Sequence, residues 1–179
     1  MTHMPGNGSA EHDPACAVAH GTAVEEHTDR TLVAVFASPV AEYLLRYGPD
    51  LGFRCLLLEP DPERAARAGG SAPVATRLTE PLDETADVVV TDHHREELGP
   101  VLRELLAHRC RWIGVMGNPR HPAPHVAALT RLGVPPEEIA RIHRPIGLNI
   151  GSHTPPEIAI ATLAGLIADR NGRPGGFVF

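Results

Sequence analysis

Short, continuous apolar runs alternate with amphipathic stretches along most of this chain. Thr31-Leu-Val-Ala-Val-Phe36, Arg54-Cys-Leu-Leu-Leu58, Ala86-Asp-Val-Val-Val-Thr91 and Arg111-Trp-Ile-Gly-Val-Met116 are rich in β-formers. Runs of this kind suit strands buried on both faces of a parallel sheet. Val74 to Arg77 predicts a brief further strand. Between the runs, apolar positions recur at helical spacing. Ser38 and Pro39 offer an N-cap and a first helical position for a helix carrying Val40, Leu44 and Tyr47, which Gly48-Pro49 ends. Pro62 to Ala68 predicts a short helix. Glu96 to His108 predicts another, with Leu98, Val101, Leu102, Leu105 and Leu106 on its inner face. His125 to Leu132 predicts a helix closed by Gly133, and Pro135 to Ile142 one more. Thr154-Pro155, with Glu157 three residues after the threonine, forms a capping box for a last helix bearing Ile158, Leu163, Leu166 and Ile167.

Strands alternating with helices predict an α/β fold, a three-layer Rossmann-like domain with a mostly parallel sheet and right-handed crossovers, over residues 30–172. Residues 1–29 have no sustained period and read as a disordered tail, and residues 173–179 as a Gly/Pro-rich C-terminal tail. The chain of 179 residues suffices for one domain with a real core. Aromatic residues make up only 4%, so Val, Leu, Ile and Ala must fill that core.

A formal net charge of −6 gives no general attraction to nucleic acid or to an anionic membrane. No apolar run approaches the ~20 residues of a membrane span, and no basic start precedes an apolar stretch, so the cytoplasm is the expected location. Cys16, Cys55 and Cys110 are widely spaced, with no CxxC pair, and read as free thiols rather than a disulfide framework or a metal site. The tail histidines His3, His12, His20 and His27 lack the spacing of a preformed metal site.

In an open α/β sheet, ligands bind beyond the carboxyl ends of the strands. Four segments qualify. At the first, the three glycine positions of a G-x-G-x-x-G turn hold Phe36, Ser38 and Ala41, and side chains there stand where a pyrophosphate would approach, which argues against NAD(P). Glu59 ends the second strand, where an acid would hold ribose hydroxyls; its other reading is a solvated carboxylate. Thr91, Asp92, His93, His94 and Arg95 form the densest cluster of function-capable groups. They read either as acceptor, proton carrier and phosphate clamp, or as a polar loop in which Thr91 or Asp92 caps the next helix. The two histidines should point apart on an extended backbone and so not share a metal. Gly117, Asn118 and Arg120 combine a glycine turn with a cation, a pattern that can receive a phosphate. Apart from these four, Gly147 and Gly151 flank Leu148-Asn149-Ile150, either as a loop closing over the sheet end or as a bend packing Ile146, Leu148 and Ile150 into the core.

Two of these segments carry a resemblance. Trp112-Ile-Gly-Val-Met-Gly117-Asn-Pro-Arg120 and Ile142-His-Arg-Pro145-Ile-Gly-Leu-Asn-Ile-Gly151-Ser-His-Thr154-Pro-Pro-Glu157-Ile-Ala are similar to the closing motifs of the XdhC/CoxI family of xanthine dehydrogenase accessory proteins. The resemblance extends over about five-sixths of the chain. It implies a Rossmann-like domain that binds the molybdenum cofactor (molybdopterin) and delivers it to a molybdenum hydroxylase client, a non-catalytic role. It also implies that Gly117, Arg120, Gly147 and Gly151 belong to the ligand loops, with Ser38, Glu59, Thr91, Asp92, His93 and Asn118 completing the expected cofactor-binding set. The family's first loop reads G-x-G-H-V-A, where this chain has Phe36-Ala-Ser-Pro-Val40-Ala41. Full-length members carry a further N-terminal domain, so a separate chain supplying it, and a homodimer, are additional partner expectations. Two readings stand beside this one. One is an NAD(P)-binding oxidoreductase. The other is a degenerate Rossmann module acting through protein contacts alone.

Overall fold

The computed structural model describes residue 20 and residues 29–70, 72–118 and 120–176. The proposed tail over most of residues 1–29, with Cys16, and the last three residues lie outside this range.

The strands are β1 (Arg30–Val35), β2 (Phe53–Leu58), β3 (Val74–Ala75), β4 (Ala86–Val90), β5 (Trp112–Val115) and β6 (Ile142–His143). They form one sheet in the order β3-β2-β1-β4-β5-β6, with every pairing parallel. The chain runs outward from β1 to one edge and returns to build the other half from β4. A topological switch point therefore lies between β1 and β4, where such sheets bind ligands.

Helices cover both faces. They are α1 (Pro39–Tyr47), α2 (Pro62–Arg67), α3 (Leu98–Leu106), α4 (Pro124–Arg131), α5 (Pro136–Ile139) and α6 (Pro155–Arg170). The period of two along each strand sorts the core. Val33, Val35, Val88, Val90, Ile113 and Val115 pack against Leu98, Leu102, Leu105 and Leu129 of α3 and α4. Leu32, Val89 and Trp112 face the other way, onto Leu44, Ala159, Leu163 and Leu166 of α1 and α6. The result is the three-layer arrangement that the alternation predicts.

The differences from the sequence reading are local. Pro135 to Ile142 is not one helix. The helix stops at Ile139, and Ile142 pairs with Ile113 as a two-residue edge strand. So short a strand has no periodicity to betray it, and a buried Ile is as compatible with a helix end. Neither Thr91 nor Asp92 caps α3, which starts at Leu98 behind Glu97 with no side-chain cap. His93 and His94 do not point apart, and their rings lie 4.1 Å centroid to centroid. Strand β1 ends at Val35 because Phe36 turns to φ 71°, in the left-handed region. Cys55 and Cys110 are free and half-buried, and burial pushes both thiols up to about 11.

At the amino ends of the strands, Asp87 is fully buried beneath α6 and accepts from Arg111 Nε at 2.6 Å and Arg170 Nε at 2.9 Å. Arg111 also reaches Asp169, and Arg170 donates to the Thr85 carbonyl. This network ties α6 to β4 and β5 at the end of the sheet opposite the ligand edge.

Candidate functional site

The carboxyl edge of the sheet divides into two unlike halves. Over β1 and β2 the protein itself fills most of it, leaving an open recess of about 270 Å³ between Ala37–Pro39 and Arg64, Arg67 and Ala68. Phe36 is fully buried in the place of the first glycine of a dinucleotide turn, and the Arg95 guanidinium stands 4.6 Å from its ring centre. Glu59, at the end of β2, is also fully buried. Its carboxylate accepts Arg95 Nη1 at 3.0 Å and Nη2 at 2.9 Å in a two-pronged pair. It also accepts the backbone N–H of Ala37 at 2.8 Å and of Asp61 at 3.1 Å. Burial alone would raise the Glu59 carboxyl, but the hydrogen bonds from Arg95, Ala37 and Asp61 outweigh it and hold the pKa below the ordinary carboxylate value. Glu97 takes the other side of Arg95 at 2.9 Å. Glu59 is thus neither a solvated carboxylate nor an acid open to a ribose.

The first loop is locked in the same way. Ser38 caps α1 by accepting from Ala41 N at 3.1 Å and donates to Thr91 Oγ1 at 2.8 Å. Thr91 Oγ1 lies 3.0 Å from the carbonyl of Val35 and 2.8 Å from that of Phe36. The hydroxyl of Ser38 fills the anion-binding position at the start of α1 with the chain's own oxygen. Asp92 accepts from His94 N at 2.9 Å in a tight turn.

Over β4, β5 and β6 the edge is open. A cleft of about 760 Å³ is lined by Thr91, His93, Gly117, Asn118, Arg120, Gly147 and Gly151, together with Met116, Ile146, Leu148, Ile150 and His153. The structure therefore brings these seven predicted residues to one cleft, while Ser38, Glu59 and Asp92 do not line it, although Ser38 touches its edge through Thr91. No Asp or Glu is among the residues lining this cleft. His93 is held below the ordinary imidazole value by burial first and then by His94 and Arg144, against a partial offset from Asp92.

Glycine and capping chemistry shape the far wall. A Cβ on Gly147, which has φ 80°, would come within 2.9 Å of the backbone of Ala161 and Thr162 in α6. Leu148 N donates to the Ala161 carbonyl at 2.9 Å from that close approach. Ile146 packs on the core, whereas Ile150 is 54% exposed and so does not join it. The capping box of α6 is present, with Glu157 accepting from His153 N at 2.7 Å and Thr154 N at 3.1 Å.

Sequence reasoning missed two neighbours of the cleft. Arg144 donates from Nη2 to the Asn118 carbonyl at 2.9 Å and from Nη1 to the His121 carbonyl at 3.2 Å. His125 is 3% exposed on α4, and its Nδ1 has no partner among the described residues. Burial, then Arg144 and His93, keep its imidazole neutral to lower pH than usual. Arg144 lies within the Ile142–Gly151 motif but carries no local sign of its partners, His125 sits in no motif, and only the tertiary fold brings Arg144 to the carbonyls of Asn118 and His121 and sets His125 near it. Among the described residues, no three His, Cys, Asp or Glu side chains gather as a metal site. No described helix is long and apolar enough to cross a membrane.

Comparison with known proteins agrees with this architecture. A crystal structure of a xanthine dehydrogenase from Bacillus halodurans superposes with a TM-score of 0.65 at 21% identity, over 80% of this chain and 45% of that one. At that identity the likeness is one of fold. The uncharacterized protein YqeB of Escherichia coli (strain K12) is 35% identical over 91 residues, which are 51% of this chain and 16% of that protein. The chain thus spans less than half of the length of either relative. The XdhC Rossmann domain matches residues 32–166, and the chain belongs to that family.

Proposed function

We propose that this chain is an XdhC-type accessory domain that holds the molybdenum cofactor for a molybdenum hydroxylase of the xanthine dehydrogenase class, without catalysing a reaction itself. The observation that carries this reading is the division of the sheet edge: an open cleft with no carboxylate in its lining beside a dinucleotide position filled by Phe36, Glu59 and Arg95. A cleft of about 760 Å³ lies within the roughly 300–1,000 Å³ typical of small-molecule sites. The fit to a phosphorylated pterin is one of volume and charge. Arg120 and the Gly117 turn would face its phosphate, while Ile146, Leu148 and Met116 would cover its planar part. When bound, the group supplies the molybdenum centre of the client enzyme, and the residues here bind it, orient it and shield it from water.

Calorimetric titration under anaerobic conditions tests this, with NAD and NADP as parallel ligands. Saturable binding of molybdenum cofactor alone is expected. Binding of NAD or NADP instead would favour the oxidoreductase reading and require Phe36 to vacate its place. The third reading, a protein-contact module, is favoured by the exposed Ile150 and Ile160, which are 54% and 52% accessible. It predicts no heat with any of the three ligands. In the proposed role, the same exposed residues are where the client enzyme or a second copy would dock.

A further inference from the structure

From the way Arg144 is held, we infer that it is the positioning residue of an oxyanion subsite on the Gly117–Asn118 turn, and that this subsite takes the phosphate of a phosphate monoester. The inference rests on the cleft being a ligand site, and it assigns which end of the ligand sits where.

The buried or half-buried guanidiniums of this protein differ in one respect. Arg95 is matched by Glu59 and Glu97, Arg111 by Asp87 and Asp169, and Arg170 by Asp87, while the half-buried Arg30 lies over the Phe53 ring at 5.9 Å. Arg144 is half-buried, yet it is held by two backbone carbonyls and by no carboxylate among the described residues. Its Nε is buried without a partner. The nearby ionisable groups facing it are His93 after β4 and His125 on α4, and both are disfavoured as cations. A cation left in this state is a standing attraction for an anion.

The turn above it is arranged to match. Arg144 takes the carbonyls of Asn118 and His121, so these repulsive oxygens are turned toward the guanidinium. The backbone N–H groups of Gly117 and Asn118 have no acceptor among the described residues. Both residues line the cleft, as does Arg120. Gly117 is required for this seating, because a Cβ there would lie 2.7 Å from Arg144 Nε and 2.8 Å from Nη2. Free amide donors backed by a half-buried cation and flanked by an exposed one are the ingredients of a phosphate nest. A guanidinium holds both carbonyls from a fixed planar fork, whereas an ammonium would have to do so with rotatable donors on a flexible stem.

The test is an amide-resolved NMR titration of the full chain with two probes, inorganic phosphate and guanosine monophosphate. Both are expected to shift the Gly117 and Asn118 amides saturably. The monoester should bind more tightly and should also shift residues 147–151. Arg144→Lys keeps the charge but loses the fork, and should weaken both probes at least tenfold while the rest of the spectrum is unchanged. Arg120→Ala, at an exposed position, should weaken them several-fold with its fold intact. The inference is overturned if neither probe shifts the turn, if phosphate alone binds, or if Arg144→Lys binds as well as wild type. Molybdenum cofactor is not a probe here. A turn that binds both probes in a protein that ignores that cofactor would leave the subsite standing and remove the proposed function.

Discussion

The two halves of the carboxyl sheet edge are built from the same βαβ units and end in opposite states. Over β1 and β2, each group that could greet a nucleotide is already spent inside the protein. Glu59 is closed by Arg95, Ser38 by Ala41 N and Thr91, and the glycine position by a buried phenyl ring. Over β4 to β6, the corresponding positions keep glycines, a free turn and unneutralised arginines. A Rossmann sheet has two mononucleotide halves, and this one has turned one half into core. Ligand capacity at such an edge is decided by a few side chains at strand ends and not by the fold, which both halves share.

The largest expected effect comes from breaking the closed half. Arg95→Ala strands the buried Glu59 carboxylate and should cost about 3–5 kcal/mol, read by urea denaturation. Replacing both partners at once, Glu59→Leu with Arg95→Met, should recover part of that loss, because no buried charge then lacks a partner, although the N–H groups of Ala37 and Asp61 lose their acceptor. If the double variant is as damaged as the single, the closed half is held by something other than the ion pair.

A smaller effect separates strain from packing. Phe36→Ala should lose about 3–5 kcal/mol of ring burial. Phe36→Gly should be the milder of the two by about 1 kcal/mol, because φ 71° suits glycine. On the open side, Gly147→Ala meets the α6 backbone, whereas Gly151 has φ 69° but open space around it. Gly147→Ala should therefore cost several kcal/mol and Gly151→Ala about 1 kcal/mol. Equal losses in thermal melts would contradict the close approach described for Gly147.

The smallest effect is a pH dependence confined to the open half. His93 and His125 titrate below the ordinary ~6.5 of an unfolded histidine. The unfolded chain then binds protons that the folded one refuses, so stability is full above about pH 6.5 and falls as pH drops below it. His125→Phe should flatten that slope between pH 7 and 5. An unchanged slope would show that His125 is not held neutral.

The sheet was legible in the sequence because strands buried on both faces leave continuous Val/Leu/Ile runs, and the capping box of α6 is a local signal that needs no tertiary partner. Strand β6 was not legible, since two residues define no period. The site was legible in part. The glycine and Arg120 pattern marks a turn that does line the cleft, and the misfit of Phe36 and Ser38 to a dinucleotide turn matches the filled half. What the sequence concealed were partnerships between distant positions. Glu59 and Arg95 are thirty-six residues apart, and Arg144 reaches a turn twenty-six residues before it. Each looks solvated and unattached until the chain is folded. His125 reads as an ordinary helical residue for the same reason.

Hydrogen exchange with and without molybdenum cofactor tests the central contrast most directly. The contrast between the two halves predicts new protection at residues 116–118 and 147–153 and none at residues 36–39 or 59–61. Protection of the Phe36–Pro39 turn would contradict it, for it would mean that the closed half opens to receive a ligand.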